Sequence, residues 1–388
     1  DSWIIDGKKV QSTQKPTIVS STLTWEKVTT LDLGLDARFF NDALGVTFDW
    51  YNRTTSDILT AANLPATLGA DAPYENMGTI QTKGWELAID YRHTFKNGLH
   101  FGVTASVADD KTEVTKWTYN TKIPSYGATG WWDKSAYKEG MVLGDIWGLQ
   151  FDRFLTEDDF NADGSLKAGL PDQTKVFPAG YQFAPGDVLY KDLDNNGEIV
   201  KQTNTNDKGD LSVIGNALPR LQFGLNLDAA WKGFDISMFF QGVAKRKLWA
   251  AGNQVLPGFT TGEPFYKGAE DYWTPENTDA FYPRPMDYKQ SASGNYSVND
   301  RYLLNMAYLR LKTFTVGYSL PKVWLSKFKV QGLRVYFTGE NLFTIDGVKP
   351  AIDPEIGIRT ASGKSDQRNF GRSYPYQKTV SFGIQLSL

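Results

Sequence analysis

Between Leu221 and Phe240 the sequence reads LQFGLNLDAAWKGFDISMFF, and its two faces differ in chemistry. Leu221, Phe223, Leu225, Leu227, Ala229 and Trp231 share one parity, while Gln222, Gly224, Asn226, Asp228 and Ala230 share the other. Successive side chains of a strand point to opposite faces, so a period of two predicts a strand with one apolar surface. After Lys232-Gly233 the apolar parity moves to Phe234, Ile236, Met238 and Phe240. A two-residue turn sets Trp231 opposite Phe234 and gathers the large apolar residues of both strands on one surface, opposite a polar one. The hairpin is two-faced over its whole length.

The pattern recurs. Leu31, Leu33, Leu35, Ala37 and Phe39 lead through Asn41-Asp42 to Val46, Phe48 and Trp50. Trp85, Leu87, Ile89, Tyr91 and Phe95 lead through Lys96-Asn97-Gly98 to Leu99, Phe101, Val103, Ala105 and Val107. Phe314, Val316, Tyr318 and Leu320 are followed by Leu333, Val335 and Phe337, and the chain ends on Val380, Phe382, Ile384, Leu386 and Leu388. Short turns near residues 41, 97, 232 and 325 alternate with long excursions over 55–83, 110–219, 247–300 and 346–377. Tight turns at one end and long loops at the other are the asymmetry of a transmembrane β-barrel. A lectin-like sandwich carries only a few long loops at one end.

Composition agrees. The 388 residues are 41% hydrophobic and 14% aromatic with 36 glycines, and no apolar run approaches the ~20 residues of a membrane helix. The absence of cysteine removes disulfides and thiolate metal sites. A net charge of −3 argues against nucleic acid as a partner. The opening DSWIIDGKKV has neither the basic start nor the apolar centre of a signal peptide, so an N-terminal portion with any targeting signal is expected to lie upstream.

If the last strand ends on the short-turn side, counting backwards makes Leu99–Val107 and Leu221–Trp231 bracket an external excursion, 110–219, that contains GMVLGDIWGLQFDRFL. About nine spanning strands remain, an odd number, whereas single-chain outer-membrane barrels have an even one. An open edge in lipid leaves backbone groups unpaired, so further strands are expected upstream or on another chain.

The segments LTWEKVTTLDLGLDARFF, NMGTIQTKGWELAIDY, GDVLYKDLDNNGEI, VIGNALPRLQFGLNL, YWTPENTDAFYPRP, YLRLKTFTVGYSLP and VYFTGENLFTIDGVKPAIDPE occur in this order between Ser20 and Leu388. Together they resemble the C-terminal barrel portion of the SusC/RagA family of TonB-dependent outer-membrane transporters of Bacteroidota. The resemblance implies an all-β fold, part of a barrel of about 22 strands around an N-terminal plug. It implies a SusD-like surface lipoprotein as lid, drive from the TonB complex, import of oligosaccharides or peptides, and a dimer of such SusCD pairs. The plug and the TonB-contacting segment are not in this sequence. Leu388 departs from the aromatic residue that usually closes the assembly signal of such barrels, which shifts that role towards Phe382.

Several residues invite chemical readings. KDLDNNGEIV places Asp192, Asp194, Asn196 and Gly197 at positions 1, 3, 5 and 6 of a calcium loop. Thr203 occupies the twelfth position, so Asp207 or Asp210 would have to complete the shell; a solvated Asx-rich turn is the alternative. DDFNADGSL repeats the pattern at Asp159, Asn161, Asp163 and Gly164, again without the twelfth acid. His93 and His100 fall on opposite parities and make a poor metal pair. Asp109-Asp110 and Asp158-Asp159 are sequence neighbours that point apart, unlike the facing carboxylates of a glycosidase, and no Ser-His-Asp arrangement exists. No enzyme is expected.

Trp117, Tyr119, Tyr126, Trp131 and Trp132 lie in the external excursion, where exposed rings would stack on sugars or contact peptides and a lid protein. Trp50, Tyr51, Trp85, Trp231, Phe234 and Tyr318 sit at strand ends and read as interfacial girdle. The rings of YWTPENTDAFYPRP read as packing between loops. The expectation is therefore a nonenzymatic outer-membrane importer with lipid on the apolar parity and a polar lumen on the other. Two alternatives stay open: a structural or adhesive outer-membrane barrel, and a secreted carbohydrate-binding β protein or hydrolase, which would be soluble without detergent.

Overall fold

The structure is a computed structural model, and it describes residues 2–11, 19–61, 73–118, 137–201, 207–250, 252–259, 265–286, 294–325, 330–349, 352–355, 360–361, 364–365 and 376–387. Its main element is one antiparallel sheet of nine strands. In chain order they are β1 (Lys27–Phe39), β2 (Leu44–Ala61), β3 (Tyr74–Thr94), β4 (His100–Trp117), β5 (Arg220–Trp231), β6 (Phe234–Lys245), β7 (Tyr308–Ser319), β8 (Gly332–Asp346) and β9 (Thr379–Ser387). Each strand pairs with its neighbours in sequence, so the order across the sheet runs from β9 at one edge to β1 at the other. These are the nine strands that the alternation predicts. The sheet does not close on itself. Among the described residues, no helix is long and apolar enough to cross a membrane.

Register follows parity. Trp231 lies opposite Phe234, Leu227 opposite Met238 and Leu225 opposite Phe240, so the apolar residues of the β5–β6 hairpin share one face. Lys232 at φ +49° and Gly233 at φ +88° give two successive left-handed residues, the turn whose twist matches the strands it joins. The apolar face continues through Phe234 against Tyr318, with ring centroids 4.5 Å apart, and Phe337 against Phe382 at 5.2 Å. It is left uncovered: Leu33 is 59% exposed and Phe382 82%.

The strands β2, β3 and β4 are 18, 21 and 18 residues long, roughly twice the ~9–11 residues that cross a bilayer. Their extra length rises on the long-loop side. Beyond it the two longest connections fold into a cap, in which Asp145–Gly148 pairs with Ser212–Asn216 and Phe151–Phe154 pairs with Val188–Tyr190, both outside the nine-stranded sheet. The segment GMVLGDIWGLQFDRFL contributes to these small ladders and adds no strand of its own to the nine, although Gly140–Leu143 hydrogen-bonds along the upper end of β4 at Thr112–Val114. One buried cluster gathers Leu149, Val188, Tyr190, Ile199 and Trp273; another gathers Trp249, Leu256, Tyr296, Tyr302 and Met306.

Buried polar groups join the two connections. The Asp187 carboxylate, fully buried, accepts from the Tyr181 hydroxyl (2.9 Å), the Ala184 amide (2.9 Å), Asn295 Nδ2 (2.9 Å) and Arg284 Nε (2.8 Å). Val188 donates its amide to Asn295 Oδ1 at 2.7 Å, and the Tyr190 hydroxyl donates to the Gly294 carbonyl at 2.8 Å. Burial raises the Tyr181 and Tyr190 hydroxyls well above the ordinary phenol range.

Candidate functional site

The polar face of the sheet is the first candidate surface. Register carries it from Asp36 to Thr47 on the next strand and then to Ala88, Ser106, Gly224 and Gln241. One step along, Asp49 lies opposite Glu86. Arg38 Nη1 donates to Asp90 Oδ2 at 2.8 Å, and Arg334 chelates Asp235. Small residues form the floor of this face and acids and amides stand along it, so it is wettable throughout. Tyr51 belongs here as well: it lies opposite Asp32 and Gly84, and its ring lies over Gly84, where a Cβ would collide with it. Tyr51 is therefore a wall residue of the polar face and not girdle, because its parity is the opposite of that of its neighbour Trp50.

The apolar face keeps Trp231, whose indole donates to the Asn97 carbonyl at 3.3 Å beside the short turn. His93 lies on that face, edge-on to Phe95 at 4.6 Å, while His100 approaches Asp228 at 3.5 Å on the other. The two histidines do not meet.

Trp117 is not an exposed stacking ring. It is 4% exposed and packs with Val114 and Met141, its ring edge-on to Tyr137 at 4.9 Å and lying over Gly78. Strand β4 runs through Trp117 in register with Gly78, so the strand continues past residue 110 and buries this side chain beneath the cap. Tyr119, Tyr126, Trp131 and Trp132 lie outside the described residues, as do Thr203 and Leu388. In YWTPENTDAFYPRP, Trp273 and Tyr282 are buried, and each belongs to a core cluster.

The calcium-like loop is partly assembled. Carboxylate oxygens of Asp192, Asp194 and Asp210 lie within 4.8 Å of one another. Gly197 takes φ +85°, and its amide donates to Asp192 Oδ2 at 2.8 Å. Asp210, completely buried, accepts from the amides of Leu193 (2.8 Å) and Val200 (2.7 Å), which folds the distant acid back onto the turn. Desolvation, with the neighbouring Asp192 and Asp210 charges, raises the Asp194 carboxyl. Desolvation pushes Asp192 in the same direction, but amide donation from Gly197 and Asn195 outweighs it and holds that group low. Asn196 sits against the acids: its Nδ2 donates to Asp194 Oδ2 at 3.0 Å, while its Oδ1 accepts from the Glu198 amide at 2.8 Å, the local bond of an Asx turn. The three converging carboxylates fit a hard cation with oxygen ligands.

The second calcium-like stretch folds differently. Asp159 receives Arg153 through both oxygens at 2.6 and 2.7 Å and caps the Thr156 amide at 2.8 Å, and the Arg153 bond holds its carboxyl down at about 2. Asp163 accepts from the Ser165 amide and hydroxyl within the turn. Asp109 is held by Arg220 at 2.5 and 2.7 Å. These acids are occupied by their own chain, a partner choice that spacing does not reveal.

Residues 5–342 match the family described as TonB dependent receptor-like, beta-barrel. The chain belongs to that family. It is 27% identical to TonB-dependent receptor P3 of Formosa agariphila, over 99% of this chain and 36% of that protein. It is 24% identical to TonB-dependent receptor SusC of Bacteroides thetaiotaomicron, over 98% of this chain and 34% of that protein. Among solved structures it superposes on the RagAB peptide transporter with a TM-score of 0.69 at 21% identity, covering 100% of this chain and 38% of that one. The chain thus spans about a third of the length of the relatives it matches. The family consists of nonenzymatic transport proteins of Gram-negative outer membranes, built as β-barrels. Within that architecture the apolar face of β1–β9 is the lipid face and the polar face is the lumenal wall.

Proposed function

We propose that this chain forms the C-terminal part of a barrel that imports oligosaccharides or peptides across the outer membrane of a Gram-negative bacterium. In this reading an N-terminal plug and the earlier strands complete the barrel, residues 110–219 stand outside the cell, a SusD-like surface lipoprotein acts as the lid, and the TonB complex supplies the drive. Two such SusCD pairs associate as a dimer. The observation that carries the reading is the nine-stranded two-faced sheet, with one face exposed and apolar and the other lined by acids, amides and small residues. The similarity to SusC and to the RagAB transporter supports the partner and the substrate classes. The test is purification of the full-length protein from native membranes in detergent, with mass spectrometry of every co-purifying chain and small molecule. A lipoprotein together with an oligosaccharide or peptide is the expected result; a lone barrel without plug or ligand would overturn it.

The same reading places a calcium ion at Asp192, Asp194 and Asp210. Three carboxylates held close together repel unless a cation or a proton intervenes. Chelation of calcium from the purified protein should lower the unfolding temperature of the cap, and the Asp210→Asn protein should start low and respond little. An unfolding temperature indifferent to both would leave the loop a plain Asx-rich turn.

A further inference from the structure

On the long-loop side, the connection between β6 and β7 contains a cleft of about 570 Å³ that no part of the transport reading uses. Tyr282 and Tyr296, 5% and 3% exposed, form its floor. Phe265, Tyr266 and Tyr272 stand at its rim with their rings substantially exposed, and Pro283 closes one side. The floor is held in place by its own backbone. Trp273 donates its amide to the Tyr282 carbonyl at 3.0 Å, Tyr282 donates to the Asp271 carbonyl at 2.9 Å, and the Tyr282 hydroxyl donates to the Val255 carbonyl at 3.0 Å. The pocket therefore exists before any ligand arrives, which lowers the ordering cost of binding.

The lining selects a class of ligand. Lys267 and Glu270 are the only charged side chains among the described residues that line the cleft, and no Asn, Gln, Asp or Arg accompanies them. Beyond the tyrosine hydroxyls, of which that of Tyr282 already donates to Val255, the described lining offers the several hydroxyls of a sugar few side-chain partners, and each polar group buried without a hydrogen bond is penalised. An extended peptide in the polyproline conformation has the opposite requirement. Its backbone stays solvated, it presents prolyl and aliphatic side chains at regular intervals, and aromatic grooves accept it with little loss of entropy. Both Lys267 and Glu270 are exposed at the rim, where they can meet charges at the ends or side chains of such a peptide.

We propose that this cleft is a capture site for short extended oligopeptides from the external medium, rich in prolyl or aliphatic side chains, with a basic side chain of the peptide directed at Glu270. The inference does not depend on what crosses the barrel, and its test reads binding without transport. Full-length protein in detergent is titrated into fluorescein-labelled Arg-Pro-Leu-Pro-Pro-Leu-Pro, with maltoheptaose as competitor. Saturable binding that maltoheptaose does not displace is expected. Tyr272→Ala should weaken it about tenfold or more, the loss typical of an aromatic anchor that becomes covered only when the ligand binds. Glu270→Gln should weaken this peptide but leave unchanged a version in which Arg is replaced by Gln. Both positions are exposed, and the unfolding temperature of each variant reports whether the cap remains folded. Absence of binding at millimolar protein, binding indifferent to both variants in a folded cap, or displacement by maltoheptaose would each overturn the proposal.

Discussion

The wall and the cap are built from one chain but stabilised by different means. Along β1 and β9, the two edges of the sheet, nearly every side chain is exposed, and those of the inner strands are mostly half-buried, so the wall has no interior of its own. Its order comes from continuous backbone pairing, and its apolar face gains from lipid what a soluble sheet gains from a core. The cap is an ordinary aqueous assembly, with buried aromatic clusters stapled by the buried groups Asp187, Asn295 and Asn299. Burial fraction therefore measures stability in one region and solvent assignment in the other.

The comparison breaks first at Asp187. Its replacement by Ala leaves Arg284 and Asn295 without their buried acceptor, and loss of one member of a buried pair costs about 3–5 kcal/mol. The cap should unfold before the wall, read as early amide exchange at 181–190 and 294–300 while β5 and β6 stay protected; simultaneous loss of both would show that they are not separable. Next in size is a charge on the lipid face. Leu225→Arg, near the middle of β5, should cost about 2–4 kcal/mol, whereas Asn226→Arg, one residue along and facing the lumen, should cost much less. Reversible unfolding in detergent or lipid measures the difference, and equal costs would contradict the assignment of faces.

A smaller effect belongs to pH. The Asp159 carboxyl sits at about 2 in the folded cap, below its ordinary value of 3.8. A depressed folded value stabilises the protein above the unfolded value, and that contribution is lost as pH falls through the folded one. Cap stability should therefore decline between about pH 4 and pH 2 through this group, and Arg153→Ala should remove that part of the slope. The smallest effect is expected at Asp90→Asn, which releases Arg38 on the wet lumenal wall. Exposed pairs contribute about 0–1 kcal/mol, so unfolding curves should nearly coincide with those of the parent protein.

How much could be read in advance depended on what lay on each side of the chain. Where lipid faces one side and water the other, parity is written into the residues, and Leu221–Phe240 specifies its strands, its turn and its register. Beyond the bilayer both sides meet water or protein, and the signal fades: Asn52 to Thr60 reads NRTTSDILT, yet β2 runs through it to Ala61. The same loss of contrast hides the continuation of β4 to Trp117, so that in the sequence a buried ring reads as an exposed one. Tyr51 misleads for a simpler reason, since a ring at the end of a strand resembles girdle whichever way it points. In the calcium-like loop, the return of Asp210 depends on amides of Leu193 and Val200, which have no side-chain signature.

The ring of Tyr51 laid over Gly84 has a counterpart across the sheet, where Tyr336 lies over Gly383. Each aromatic occupies the space that its neighbour's missing Cβ leaves, so it lies along the wall instead of standing away from it. The clearance of the passage at these heights is then fixed by a hydrogen atom on an adjoining strand. Gly84→Ala would leave the pairing of β2 and β3 possible but lift the Tyr51 ring inward, making a constriction from the smallest substitution the chain can carry.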